Sequence, residues 1–307
     1  MRSVVPVQKA AVIRRSFQWQ RYKYYYVLLL PGVLYFLLFH YVPMFGVAIA
    51  FKEYKLSLGI WASDWAGLKW FQQLYVSDDF WIALRNTVII SFYKLAFVFP
   101  VPIILAIMLN ELWSNKVKRV IQTIIYFPHF VSWVILGGIL YTLFSPSTGL
   151  LAVFGISKSP LMDPGTFRGM LITTEIWKEA GWGTVIYLAA IAGINPELYE
   201  AAKMDGASKL QEIFRITLPS ISGTIVILLI LKMGNILNAG FDQVFILYNA
   251  LVYSVADILD TYVYRVGLAM GRFPLAAAAG LFKSVVGLLM IIITNAIVRR
   301  IGGSSLW

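Results

Sequence analysis

Long, unbroken apolar runs constrain this chain more than any other feature. They fall at roughly 25–51, 86–112, 120–144, 169–194, 220–240 and 276–298. Each is long enough to cross the ~30 Å hydrocarbon layer as a helix, which takes about 20 residues. None alternates polar with apolar residues, so they read as helices and not as barrel strands. Composition agrees, with 13% charged and 59% hydrophobic residues and a mean hydropathy of +0.74. Soluble domains carry about a quarter charged residues. The expected fold is an all-α membrane protein of about six transmembrane helices.

The first run is too long for a signal-peptide core and lacks a small-residue cleavage site, so it reads as a retained helix. Tyr22, Tyr24, Tyr25 and Tyr26 supply an aromatic belt at its mouth. The chain then divides into a basic tail, 1–24, and a transmembrane domain, 25–307. The net charge of +11 sits at the ends of apolar segments and not along one stripe. That distribution argues for topology signals and against nucleic acid. With the N-terminus inside, the inner segments hold 14 Lys and Arg against 8 in the outer loops. Both termini are therefore expected in the cytoplasm. Between the spans, 52–85 is rich in Trp and Tyr and could pack on the outer face or touch a partner. Residues 251–274 are expected to form an amphipathic helix at the outer interface.

Several functions are excluded early. Cysteine is absent and only His40 and His129 occur, so no metal site or thiol nucleophile is expected. No Gly-Lys pair occurs anywhere, so there is no Walker A loop for ATP.

The segment between the fourth and fifth runs, 195–219, is the informative one. Asn195 can cap a helix that Pro196 opens, with Glu197 in its first turn. Gly206 suits a turn of positive φ. Ser208 and Gln211 have capping-box spacing for a second short helix, and Pro219 opens the next span. Physically this is a helix–turn–helix in a loop, fit either to dock something or to lie at the interface as an ordinary amphipathic element.

The residues Glu200-Ala201-Ala202, Asp205-Gly206-Ala207 and Ile216, Leu218, Pro219 resemble the EAA signature of ATP-binding-cassette importer permeases. The resemblance implies a type I permease bundle whose loop seats in a cytoplasmic ATPase. Glu200 would then contact the ATPase, Ala201 and Ala202 would permit close packing, and Gly206 would turn at the docking surface. The stretches YYVLLLPGVLYFLLFHYVPMFGVAIAFKEY, VADILDTYVYRVGL and GLFKSVVGLLMIIITNAIVRR are similar to carbohydrate-uptake permeases for oligosaccharides and polysaccharide fragments, acidic ones included. The implied partners are a second homologous permease, two ATPase subunits that use ATP and Mg, and an extracytoplasmic solute-binding protein. The implied location is the bacterial cytoplasmic (inner) membrane, the chain itself being non-catalytic.

Ionisable groups inside spans usually face a cavity or a partner. The fourth run holds Glu175, Trp177, Lys178, Glu179 and Trp182, with Glu175 spaced to pair with Lys178 along one face. In the fifth, Lys232 lies about 18 Å along the helix from Ser220, followed by Asn235, Asn238 and Asp242. Amides, carboxylates and aromatic faces suit a sugar, though interhelical hydrogen bonding would use the same asparagines. An anionic sugar would also account for Lys232 and Lys283, neither of which has an evident sequence partner. Pro100 and Pro102 are expected to kink the second span, and Gly137-Gly138 to allow close helix contact. A secondary transporter or channel for a small polar solute would explain the spans but not the loop. Internal repeats, its usual mark, are not found.

Overall fold

The computed structural model describes residues 19–300. Most of the expected basic tail, with Arg14 and Arg15, and residues 301–307 lie outside them. The chain divides into two compact units, one ending at Ala48 and one starting at Ile49. In the first, α1 (Trp19–Phe36) is followed by a wide π-turn, Leu37–Tyr41, and a helical turn, Val42–Met44.

The second unit opens with two short antiparallel strands, β1 (Lys52–Glu53) and β2 (Asp64–Trp65), paired Lys52 to Trp65 and Glu53 to Asp64. Helices follow: α2 (Lys69–Tyr75), α3 (Asp78–Asn110), α4 (Asn115–Phe130), α5 (Trp133–Leu143), α6 (Phe167–Ala192) and α7 (Pro196–Met204). Then come α8 (Lys209–Gly234), α9 (Phe241–Leu247), α10 (Leu259–Tyr264) and α11 (Phe273–Arg300).

Four stretches, Tyr22–Phe51, α3, α8 and most of α11, are helical, long and apolar enough to cross a membrane. The bent pair α4–α5 would make a fifth. The remaining expected span is α6, 26 residues long, whose Glu175, Lys178 and Glu179 lower its hydropathy. The expected third span, 120–144, is not one straight helix, because α4 and α5 meet at 97°. Pro128 removes a donor, Phe127–Phe130 tightens to a 3-10 turn and Val131 is extended. Ser132 then caps α5, its Oγ accepting from Ile135 N at 3.3 Å.

The second and fifth spans meet their prolines differently. Phe99 donates to the Lys94 carbonyl, and Leu218 to that of Ile213, each five residues back and each just before a proline, Pro100 and Pro219. The same register precedes Pro43, where Val42 donates to Leu37. A proline ring clashes with the carbonyl four residues back, and a π-turn widens the helix there. The expected kink at Pro100 is thus absorbed within one helix. Pro219 likewise lies inside α8, so the second loop helix and the fifth span are continuous.

Among lipid tails apolar contact alone does not drive helices together, so close approach and polar contacts do. At Gly181 a Cβ would lie 1.9 Å from the Ile125 carbonyl oxygen, where α6 presses on α4. Of the pair Gly137-Gly138, only Gly137 makes the expected close contact, against Ile246, while a Cβ at Gly138 would meet nothing within 4 Å. One apolar cluster joins Leu136, Leu140, Phe167, Leu171, Val244 and Leu247. A second joins Leu74, Phe80, Leu259, Tyr262, Leu275 and Ala279. Residues 251–274 are therefore not an amphipathic surface helix. Val252, Ala256, Ile258 and Leu259 are wholly buried in protein, in short helices and a turn.

Candidate functional site

The loop at 195–219 folds as its residues suggest. Asn195 Oδ1 accepts from Glu197 N at 3.1 Å, and Pro196 is the first residue of α7. At the other end Gly206 has φ +75°. Its N–H donates to the Lys203 carbonyl at 3.1 Å, and Ala207 N–H to Ala202 at 2.9 Å. This is a Schellman closure, which needs a left-handed residue where glycine stands. Ser208 and Gln211 complete a reciprocal capping box, Gln211 Oε1 accepting from Ser208 N at 2.7 Å.

The hairpin is anchored on its inner side. Tyr199 and Thr217 hydroxyls lie 2.9 Å apart, and Lys209 bridges Glu212 and Glu111 at 2.9 and 3.1 Å. Its outer side presents Glu200, Ala201, Asp205 and Pro219 exposed, with Ala202, Ala207, Ile216 and Leu218 half-buried. Met204, Leu210 and Phe214 also project from it, at 87%, 67% and 65% exposure. Apolar side chains thus project from an ordered, otherwise polar hairpin.

A second site is a cleft of about 370 Å³ between α3, α5, α6 and α8. Glu175, Glu179, Trp182 and Lys232 line it, with Trp133, Tyr187 and Pro102. A smaller cavity of about 30 Å³ shares Glu175 and Lys232 and adds Ser91, Lys94, Asn235 and Asn238. Six of the expected pathway residues thus meet in one region.

The charges are paired otherwise than their spacing suggests. Glu175 pairs with Lys94 of α3 and not with Lys178 of its own helix. Lys94 Nζ also donates to Gln243 Oε1 at 2.7 Å. Gln243 Nε2 in turn donates to the Leu171 carbonyl and Thr174 Oγ1 at 2.7 and 2.9 Å. Gly240, at φ +90°, leaves room for this lysine, since a Cβ there would stand 2.5 Å from Nζ. Lys178 is buried behind the cleft's lining, donating to the His129 carbonyl at 2.6 Å and lying 3.4 Å from Glu179. His129 Nδ1 lies 2.8 Å from Glu179 Oε2, and its ring stacks on Trp182 at 4.7 Å.

Other expectations are corrected here. Trp177 is outside the cleft, and Asp242 is exposed away from it. Asn235 and Asn238 are not on a helix face, because α8 ends at Gly234 and both stand in the following turn. Lys283 is not without a partner, since it pairs with Asp260. Lys232, among the described residues, has neither hydrogen-bond nor ion-pair partner. Sequence reasoning missed Lys94, Gln243 and Ser91. A lysine in the middle of an apolar run was the available signal for the first.

A further polar network ties 253–265 to the ends of α3 and α6. Asp257 accepts from Arg265 at 2.7 Å and from Thr261 at 2.8 Å. Asn86 donates to the Asp257 carbonyl at 3.1 Å and accepts from Arg168 at 2.8 Å. Nearby, burial pushes the Tyr248 phenol up to about 12, with Tyr253 and Asp257 adding to it.

The profile of the family described as "binding-protein-dependent transport system inner membrane component" matches residues 99–303. The protein LplB of Bacillus subtilis (strain 168) is 47% identical over 293 residues, covering 94% of this chain and 92% of that protein. The polygalacturonan/rhamnogalacturonan transport system permease protein YteP of the same organism is 46% identical, covering 93% and 90%. A chain in the crystal structure of a bacterial ABC transporter that imports the acidic polysaccharide alginate is 43% identical, with a TM-score of 0.85 over 92% of this chain and 97% of that one. A chain in the alginate transporter in complex with alginate pentasaccharide-bound periplasmic protein aligns with a TM-score of 0.86 at 42% identity, covering 94% and 98%.

Proposed function

This chain belongs to the binding-protein-dependent transport system inner membrane component family, and on that premise we propose that it forms half of an importer's pathway for an oligosaccharide or polysaccharide fragment. It is a non-catalytic permease subunit of an ATP-binding-cassette importer in a bacterial inner membrane. The other half is a second homologous permease. Two cytoplasmic ATPase subunits supply the work with ATP and Mg, and an extracytoplasmic binding protein delivers the sugar. Six spans with both termini inside put 195–219 on the cytoplasmic face and 253–265 on the outer face.

The observation that carries this reading is the ordered hairpin around Gly206, with its EAA residues and the exposed Met204 and Leu210. Glu200 offers charge, Ala201 and Ala202 close approach, and Asp205, Gly206 and Ala207 the turn that enters the ATPase. Ile216, Leu218 and Pro219 carry its motion into α8. That helix is continuous from Lys209 to Gly234, so a push on the hairpin reaches Lys232 without a hinge. ATP binding then closes the motor, the hairpin moves with it, and the pathway alternates between inward- and outward-open. In the cleft, Glu175 and Glu179 suit sugar hydroxyls and Trp182 suits the apolar face of a ring, while Asn235 and Asn238 border the adjoining small cavity.

Affinity purification of the tagged chain from its native membrane tests the reading. An ATPase and a second permease with the same signature should follow it, and reconstituted vesicles should take up oligosaccharide only with ATP and binding protein. A chain that purifies alone and moves solute without ATP would overturn it in favour of a secondary transporter.

A further inference from the structure

The small cavity beside the cleft holds two polar groups that nothing among the described residues answers. Ser91 Oγ is buried without a hydrogen-bond partner. Lys232 has none either among the described residues, and it borders both the cavity and the larger cleft.

The surrounding charges leave Lys232 as the surplus. Glu175 is neutralised by Lys94, which Gln243 also holds. Glu179 is held by Lys178 and by His129. Three lysines stand against two glutamates, so one positive charge remains, on the residue whose side chain is free. Lys232 is exposed on the wall of the cleft, and an ionisable group within a membrane span is retained where a cavity, a partner or a relay uses it.

We propose that this cavity receives a carboxylate of an acidic sugar, bound by the Lys232 ammonium and the Ser91 hydroxyl while the ring lies in the adjoining cleft. This rests on the reading of the chain as an oligosaccharide permease. The sizes agree. About 30 Å³ of water-accessible space is too small for a sugar ring but admits a carboxylate's oxygens. The cleft of about 370 Å³ is in the range that takes a small ligand. The two share Glu175 and Lys232 as a common wall, so a ring in one can extend its carboxylate into the other. Lys94 keeps Glu175 from repelling the incoming anion. Serine at 91 adds the donor that a carboxylate accepts, for a short charge-assisted bond.

The test uses the complete importer with its binding protein in proteoliposomes. The probes are trisaccharides of polygalacturonan and of alginate, and the same trisaccharides with each carboxyl reduced to an alcohol, all at concentrations that saturate the binding protein. Wild type should take up the carboxylated form in preference. Lys232→Gln should lower the ratio of carboxylated to reduced uptake about tenfold, the range for losing a charged hydrogen bond. Ser91→Ala should lower it about threefold, and Lys232→Arg should keep most of it. Because the readout is a ratio within one variant, a loss of assembly cancels. An unchanged ratio in Lys232→Gln, or equal uptake of both forms by wild type, overturns the carboxylate site and leaves the permease reading intact. Uptake of neither form by wild type fails the permease reading itself.

Discussion

Lys94 and Glu175 form an ion pair between α3 and α6, and Gln243 of α9 accepts from the same ammonium at 2.7 Å. Both charged side chains are largely buried, at 6% and 13% exposure. The pair joins three helices at the wall of the cleft. Removing one partner strands the other in a medium of low dielectric, which costs about 3–5 kcal/mol. Glu175→Leu and Lys94→Met should each lower the melting temperature of the purified complex sharply. The double substitution should recover much of the loss, because no charge is left unpaired. A double variant as unstable as the sum of its parts would show that the two residues act independently.

Gly206 tests the proposed coupling role of the hairpin. Its φ of +75° lies outside anything proline adopts, and its N–H closes the helix on Lys203. Gly206→Pro should insert normally, since it lies in a loop, yet lose ATPase binding and at least tenfold in ATP-driven uptake. Pull-down of the ATPase and vesicle uptake measure the two separately. Normal uptake would remove the hairpin from the mechanism.

Much of this was legible in the residues, and the rest has physical reasons for being hidden. Capping and turn chemistry is local, so Asn195, Gly206, Ser208 and Gln211 behaved as read. The general all-α architecture was equally plain, because apolar length alone signals it. Pairing across helices was not. Glu175 had Lys178 within a helical turn, but its partner came from 81 residues away. Spacing along a helix reports which groups share a face, not which face meets which helix. The break after Gly234 was hidden for a similar reason. The run stays apolar through Ile236 and Leu237, and only Gly240 at positive φ betrays the turn. The 97° bend at Pro128 was missed because hydropathy continues unbroken across it.

Gly181 reports on the packing of α6 against α4. A Cβ there would meet the Ile125 carbonyl oxygen at 1.9 Å, and a backbone atom cannot swing aside as a side chain would. Gly181→Ala should destabilise the protein by about 1–3 kcal/mol, the usual cost of overpacking. Thermal unfolding in lipid nanodiscs would show it as a lowered midpoint, larger for Gly181→Val. No shift would mean that the two helices separate more readily than their contact suggests.

Trp182 separates a sugar platform from a structural ring. One face stacks on His129 at 4.7 Å, nearly parallel, and the side chain is 49% exposed where it lines the cleft. A ring fixed on one side and open on the other is placed to receive the apolar face of a pyranose. Trp182→Ala should raise the half-saturating sugar concentration for uptake about tenfold or more. Trp182→Phe, which keeps an aromatic face, should lose only a few-fold. Equal loss in both would point to the indole's bulk in packing and not to its face.

The buried carboxylate of Asp257 makes the last prediction, about the far end of the same helices. It accepts from Arg265 at 2.7 Å and Thr261 at 2.8 Å, while its backbone carbonyl accepts from Asn86, which Arg168 holds. Arg265 is already short of partners, with Nη1 unbonded and its plane set near the rings of Tyr253 and Tyr262. Asp257→Ala would leave that guanidinium without its counter-charge, at a cost of about 3–5 kcal/mol. Asp257→Asn keeps the acceptor for Thr261 but loses the charge, so it should fall between. Because 253–265 is tied through Asn86 and Arg168 to α3 and α6, the loss should reach the cleft as well. Protease sensitivity of 250–272 should rise together with a fall in uptake. If the segment loosens while uptake holds, the network serves stability alone and α3 and α6 keep their geometry without it.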